Sequence, residues 1–232
     1  MIMPPPTSTA LSSSLAQFEH LPVAIAERLN HLPTAIATTS DAAIWNRSLP
    51  PAVENWLDGI APRNLPDGRY IVKPSNVAAS IETLFAAQRL ATTLALTWLS
   101  KDAEQLSHCV CRIARTQRVR LRLERVDDNA CSKLHMDDVV ARMICTYRGP
   151  STQLGFETSV SDEIQMVPTG MPVLLKGKRW PGHATPALRH RSPQIEGTGI
   201  TRLVLVLEGV SPEDIMPTYD TLYEEDERAR ID

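Results

Sequence analysis

The sequence predicts an α+β protein in which helices come first and strands, closed into a sandwich or barrel, come after. Three observations predict it. No glycine or proline interrupts residues 77–115, so helices can run there. From Arg118 charged and apolar residues alternate with period two, the mark of a half-buried strand. Beyond that, short apolar runs are separated by turn residues at Gly149-Pro150, Pro168-Thr-Gly170 and Gly197-Thr-Gly199, the punctuation of a many-stranded domain.

A chain of 232 residues is long enough to bury a sizeable core. The formal charge of -3 supplies no field to gather nucleic acid or anionic lipid, so neither partner is expected. The longest apolar-leaning stretch, Leu84 to Leu99, is interrupted by Gln88, Arg89 and threonines, which argues against a membrane span. The start lacks a basic-then-apolar secretory signal. Four cysteines, Cys109, Cys111, Cys131 and Cys145, form no disulfide-scaffold spacing. A reducing cytoplasm is the expected location.

Residues 1–14, rich in Pro, Ser and Thr, read as a disordered tail. Residues 15–115 read as a mainly helical N-terminal region packed on the core. Short helices are expected at Val23–Leu29 and at Ala52–Ile60, the latter entered by Pro50-Pro51, which suit a first turn. Trp45 and Trp56 read as packing anchors. Ser75-Asn76 caps a long helix over Val77–Ser100, and a second follows over Ala103–Ala114. Residues 116–210 read as a β-barrel metal-binding core. Strands are expected at Arg118–Val126, Val139–Tyr147, Met171–Lys176 and Thr201–Leu207, with a loop from Ser151 to Pro168. Residues 211–232 form an acidic tail.

The chemistry centres on Lys133-Leu-His-Met-Asp-Asp138. In an extended strand, His135 and Asp137 share a face. One imidazole and one carboxylate on one face are two thirds of a facial metal triad, and a second histidine completes it. His190, just before the last strong strand, is the preferred third ligand, and a jelly-roll barrel could bring it to His135 because its strands pair across the fold. His183, in a Gly/Pro loop, is the rival. Arg202 opens a strand that is apolar on both faces. A buried arginine needs a partner, and a carboxylate suits its two-pronged geometry. Tyr147 falls on the His135/Asp137 face if the strand has no bulge, either as a hydrogen-bond donor to a cofactor carboxylate or as a buried core tyrosine. Arg142 falls on the opposite face and reads as structural.

His135-x-Asp137, an apolar strand, Pro168-x-Gly170 before a short strand, distal His190, then Arg202 on the next strand together resemble the core of the Fe(II)/2-oxoglutarate-dependent dioxygenases, over roughly Leu121 to Leu207. That resemblance implies a double-stranded β-helix (jelly-roll, cupin-like) core, Fe(II) held by His135, Asp137 and His190, and 2-oxoglutarate held at its far carboxylate by Arg202. Cys131-x-x-x-His135-x-Asp137, Cys145-Thr-Tyr-Arg-Gly-Pro150 and His190-Arg-Ser-Pro193 also resemble a bacterial family known as the domain of unknown function 1826, across most of the chain. This second likeness brings no reaction with it.

Other signals carry less. Cys109 and Cys111 diverge by about 200° on a helix and read as small buried residues. The basic run from Arg112 to Arg125 lacks interleaved aromatics and reads as a solvated strand face. Trp180 either lines a substrate mouth or packs. A reading of another class is a non-catalytic or zinc-binding β-barrel serving metal homeostasis or partner binding. Cys131 and Cys145, soft ligands near the site in sequence, favour zinc. The sequence does not choose between a small-molecule and a protein substrate, nor does it set the oligomeric state.

Overall fold

The structure, a computed structural model, describes residues 15–37, 39–129, 131–160, 163–182 and 185–214. The expected tail at 1–14, nearly all of the acidic tail, and the rival ligand His183 lie outside the described residues.

The chain builds a mixed α+β fold on one large sheet. Its strands are β1 (Val23–Ala26), β2 (Ala42–Trp45), β3 (Gly68–Val72), β4 (Arg118–Val126), β5 (Ala141–Arg148), β8 (Val173–Lys176) and β10 (Arg202–Val210). They lie side by side in the order β1-β2-β8-β5-β10-β4-β3. All neighbours are antiparallel except β1 and β2. A small second sheet holds β6 (Gln153–Phe156), β7 (Gln165–Met166) and β9 (Leu188–Arg191), in the order β7-β6-β9. The α-helices are α1 (Leu32–Ala37), α2 (Pro51–Gly59), α3 (Val77–Ala87) and α4 (Leu94–Ala114). Among the described residues no helix is long and apolar enough to cross a membrane.

The period-two rule sorts the side chains of the large sheet into two cores. Leu203, Leu205 and Leu207 of β10 face the helices together with Met143, Cys145 and Tyr147 of β5 and Val119, Leu121 and Leu123 of β4. Val204 and Val206 of β10, with Ile144 of β5, face the small sheet instead. The α4 helix lies across the first core and buries Leu96, Leu99, Ala103, Leu106 and Val110.

The mainly helical first half also supplies strands that the sequence reading missed: β1, β2 and β3 come from it and complete both ends of the large sheet. Val23–Ala26 is a strand because it finds a neighbour in Ala42–Trp45; tertiary pairing overrides weak local preference. The long helix over 77–100 is also corrected. The chain breaks after Ala87, where Arg89 adopts a left-handed conformation (φ 60°). Thr93 then caps a new helix, its hydroxyl accepting from the Leu96 N–H at 3.1 Å. A threonine that serves as a cap starts a helix rather than continuing one. Within the expected loop after Ser151, β6 and β7 supply two of the three strands of the small sheet.

Candidate metal centre

His135 and His190 are joined by their backbones. Each donates its N–H to the other's carbonyl at 3.0 Å, in an isolated antiparallel bridge that extends the small sheet beyond β9. The ring centroids stand 4.4 Å apart. Asp137 follows, just before the bend at residues 138–140 that leads into β5. Lys178 N–H donates to its carbonyl at 2.9 Å, and Gly177 N–H to the Val140 carbonyl at 3.0 Å. Gly177 must be glycine for closeness rather than for φ: a Cβ there would run into the backbone of Val139 and Asp137.

The donor atoms of His135, Asp137 and His190 all lie within 4.8 Å of one another. Nε2 of His135 is 3.6 Å from Asp137 Oδ1, and Nε2 of His190 is 3.1 Å from Oδ2. Cis donors on an ion with bonds of about 2.1 Å stand about 3.0 Å apart, so one divalent ion fits among them. Oδ2 is buried, and besides the nearby Nε2 of His190 it has no hydrogen-bond partner among the described residues, so acceptor capacity is left for a bound cation. Nδ1 of His135 lies 2.8 Å from the Lys133 carbonyl oxygen. A carbonyl only accepts, so Nδ1 carries the proton and Nε2 turns its lone pair to the site.

The electrostatics agree with this geometry. Burial opposes the charge on Asp137, but the two imidazoles and the Arg142 guanidinium, whose Nη1 is 2.5 Å from Oδ1, hold its carboxyl far below the ordinary range. Burial pushes His190 below its usual value, partly offset by Asp137, which favours the neutral form that ligates. His135, more open, is raised chiefly by its contact with Asp137.

A narrow cavity, open to solvent, lies beside the triad between the two sheets. Its walls include His135, His190, Cys131 and Arg191, and its floor is Arg122 and Glu124 of β4, Arg142 and Ile144 of β5, and Arg202, Val204 and Val206 of β10. Arg202 is 1% exposed. Its Nε donates to the Pro150 carbonyl at 2.6 Å, while Nη1 is buried without a partner among the described residues. Burial lowers its pKa to about 10.

The structure therefore brings His135, His190 and Arg202 to one cavity, with Asp137 clustered against the two histidines beside it. Tyr147 is not among them. It points into the helical core, where its hydroxyl donates to Asp102 Oδ2 at 2.6 Å. The expected face was reversed because residues 138–140 bend, so the alternation does not carry across from Asp137 into β5. The same reversal moves Arg142 to the site, bridging Asp137 and Glu208 (Nη2 to Oε2, 2.7 Å). Cys145 lies beside Arg47 on the helical side, its thiol pushed up to about 12 by burial. Cys131 lines the cavity, but no cysteine joins the ligand cluster among the described residues. Zinc held through these thiols thus loses its support. The basic run is also more than a solvated face: Arg120 and Arg122 are largely covered and ion-paired, to Glu208 and Glu124. Trp180 packs beside the helical core, with the Lys176 ammonium 5.0 Å from its ring centroid.

A two-sheet α+β scaffold with two histidines and one aspartate converging at the mouth of an arginine-floored cavity defines a class of candidate facial-triad metalloproteins. Within it the chain belongs to the family described as "Protein of unknown function (DUF1826)", which matches residues 26–208. No curated protein matches it in sequence. Among solved structures it is similar to the dioxygenase for auxin oxidation 1 from Arabidopsis thaliana, in a complex with 2-oxoglutarate, with a TM-score of 0.50 and 12% identity over 86% of this chain and 99% of that one. At that identity the likeness is one of fold. A prolyl-4-hydroxylase from Pseudomonas putida matches with a TM-score of 0.43 and 13% identity, over 78% of this chain and 97% of that one.

Proposed function

We propose that this protein is an Fe(II)/2-oxoglutarate-dependent oxygenase of the hydroxylase type, built on a double-stranded β-helix core. The observation that carries the reading is the pairing of the His135–Asp137–His190 cluster with the buried, unpartnered Nη1 of Arg202 at one cavity. The fold shared with an oxygenase that binds 2-oxoglutarate supports it. Four unpaired cysteines suit a reducing cytoplasm.

His135, Asp137 and His190 would hold the iron on one face and leave the other positions open. Lys133 fixes the tautomer of His135 through its carbonyl. Arg142 keeps Asp137 ionised and oriented. Arg202 would receive the far carboxylate of 2-oxoglutarate, with Thr146 as a second donor. Thr146 stands opposite Val204 on β5, fully buried, with an unpartnered hydroxyl. Val204, Val206 and Ile144 line the floor of this space with apolar groups and help exclude water. The bound group supplies the chemistry: oxidation of a substrate C–H bond by O2 as 2-oxoglutarate is converted to succinate and CO2.

The test is turnover. Full-length protein reconstituted with Fe(II) should form succinate from 2-oxoglutarate in air, and Asp137→Ala should not. Equal succinate from both proteins, or none from iron-loaded wild type, overturns the reading.

A further inference from the structure

The cavity holds more positive charge than metal and co-substrate chemistry needs. Asp137 is matched by Arg142, and Glu208 by Arg120 and Arg142. That leaves Arg122, Arg191 and Arg202 along the cavity against Glu124 alone. A divalent ion adds two positive charges and a dicarboxylate removes two, so the excess remains when both are bound. Charge that is largely covered and short of counter-charge is costly, and the partly open side of this cavity gives a further anion a place to bind.

Arg122 is the guanidinium best placed to take it. Its side chain is 20% exposed, and its ion pair, Nη1 to Glu124 Oε1, is a single contact at 3.4 Å. A strong arginine–carboxylate pair is two-pronged and shorter. Its Nε is buried without a hydrogen-bond partner among the described residues, as is the Nε of Arg142. Burial depresses its pKa, with Arg142 and Arg69 adding to the shift and Glu124 and Glu208 only partly offsetting it. Arg122 stands opposite Val206 on β10, whereas Arg202 stands opposite Val126 on β4. Their backbones are thus four residues, about 13 Å, apart along the strand, and the two arginines define separate subsites.

We propose that Arg122, with the Nε of Arg142 beside it, forms a second anion subsite that binds a carboxylate or phosphate group of the substrate. The inference rests on the oxygenase reading and gives it a substrate class: an oxyanion-bearing molecule whose charged end lies at β4 while its reacting carbon faces the triad.

Calorimetry tests it. Inorganic phosphate and benzoate are titrated at constant ionic strength into the full chain, loaded with Mn(II) and saturated with 2-oxoglutarate without oxygen. At least one anion should bind, and the neutral benzamide should not. Which anion binds more tightly separates a phosphate-bearing from a carboxylate-bearing substrate. Arg122→Gln should weaken the anion by about tenfold or more, the worth of a charged hydrogen bond, while 2-oxoglutarate affinity stays within about twofold. Arg122→Lys, which keeps the charge, should retain part of the binding and guards against misfolding. The proposal is overturned if neither anion binds, if both bind Arg122→Gln as they bind wild type, or if they bind only by displacing 2-oxoglutarate. Should 2-oxoglutarate itself fail to bind, the oxygenase reading falls. The same phosphate titration on the metal-free chain then still decides the role of Arg122.

Discussion

His135 and His190 are opposite residues of one antiparallel bridge, exchanging both backbone hydrogen bonds at 3.0 Å. Two proposed metal ligands 55 positions apart in the chain are thereby held in register by backbone alone, with their rings side by side. Only Asp137 must be placed by other means, and the turn at Gly177 provides them.

Gly177→Ala should therefore weaken the metal site without touching a ligand. The added methyl meets the Val139 and Asp137 backbone, which cannot yield without moving the Asp137 carboxylate. Mn(II) affinity should fall roughly 10–100-fold, the range for groups that orient ligands. Calorimetric titration checks it, and an unchanged affinity would show that the turn does not position the aspartate.

Removing the carboxylate itself should cost more. Asp137→Asn leaves two imidazoles facing a neutral amide and strips Arg142 of one ion pair. Metal binding should drop on the order of 100-fold or beyond, read by the metal content of protein dialysed against a weak chelator.

Tyr147→Phe should behave as a core mutation. Its hydroxyl donates to Asp102, which Arg47 also clasps through two contacts. Losing that donor should cost about 1–3 kcal/mol in urea unfolding and leave metal and 2-oxoglutarate affinity unchanged.

The contrast between Tyr147 and His190 shows what the sequence can carry. The order His135-x-Asp137, His190, Arg202 was legible because each residue type is hard to explain in a strand without a ligand. The strands β4 and β10 were legible because their apolar runs are long or strictly alternating, and β8 because the turn at Pro168-Thr-Gly170 precedes its apolar run. The face of Tyr147 was not, because three bent residues, 138–140, break the period between the motif and the strand. The strands β1 and β6 were hidden because four-residue segments are fixed by their neighbours, Ala42–Trp45 and Leu188–Arg191. Arg122 and Arg142 were misjudged for a related reason: alternation reveals which residues share a face, not whether a second sheet covers it.

Glu208 sets a pH dependence. Burial opposes its charge, but Arg142, with Arg120 beyond it, holds its carboxyl below the ordinary value. A folded-state pKa lowered below the unfolded value of about 4.3 contributes stability that is complete above that pH. This stability is lost as pH falls through the folded value. Glu208→Gln should be less stable at pH 7 by about 1–3 kcal/mol and should flatten the acid limb of the stability curve below about pH 4.3. Urea unfolding at a series of pH values measures both.

The most direct test of the central claim is an anaerobic titration of 2-oxoglutarate into the Fe(II)-loaded full chain, followed by calorimetry and by the visible absorption of the iron–cofactor complex. Stoichiometric binding is predicted. It should be abolished in His190→Ala, weakened about tenfold or more in Arg202→Gln, and unchanged in Tyr147→Phe. Binding that ignores the metal, or that survives Arg202→Gln at full strength, would contradict the account.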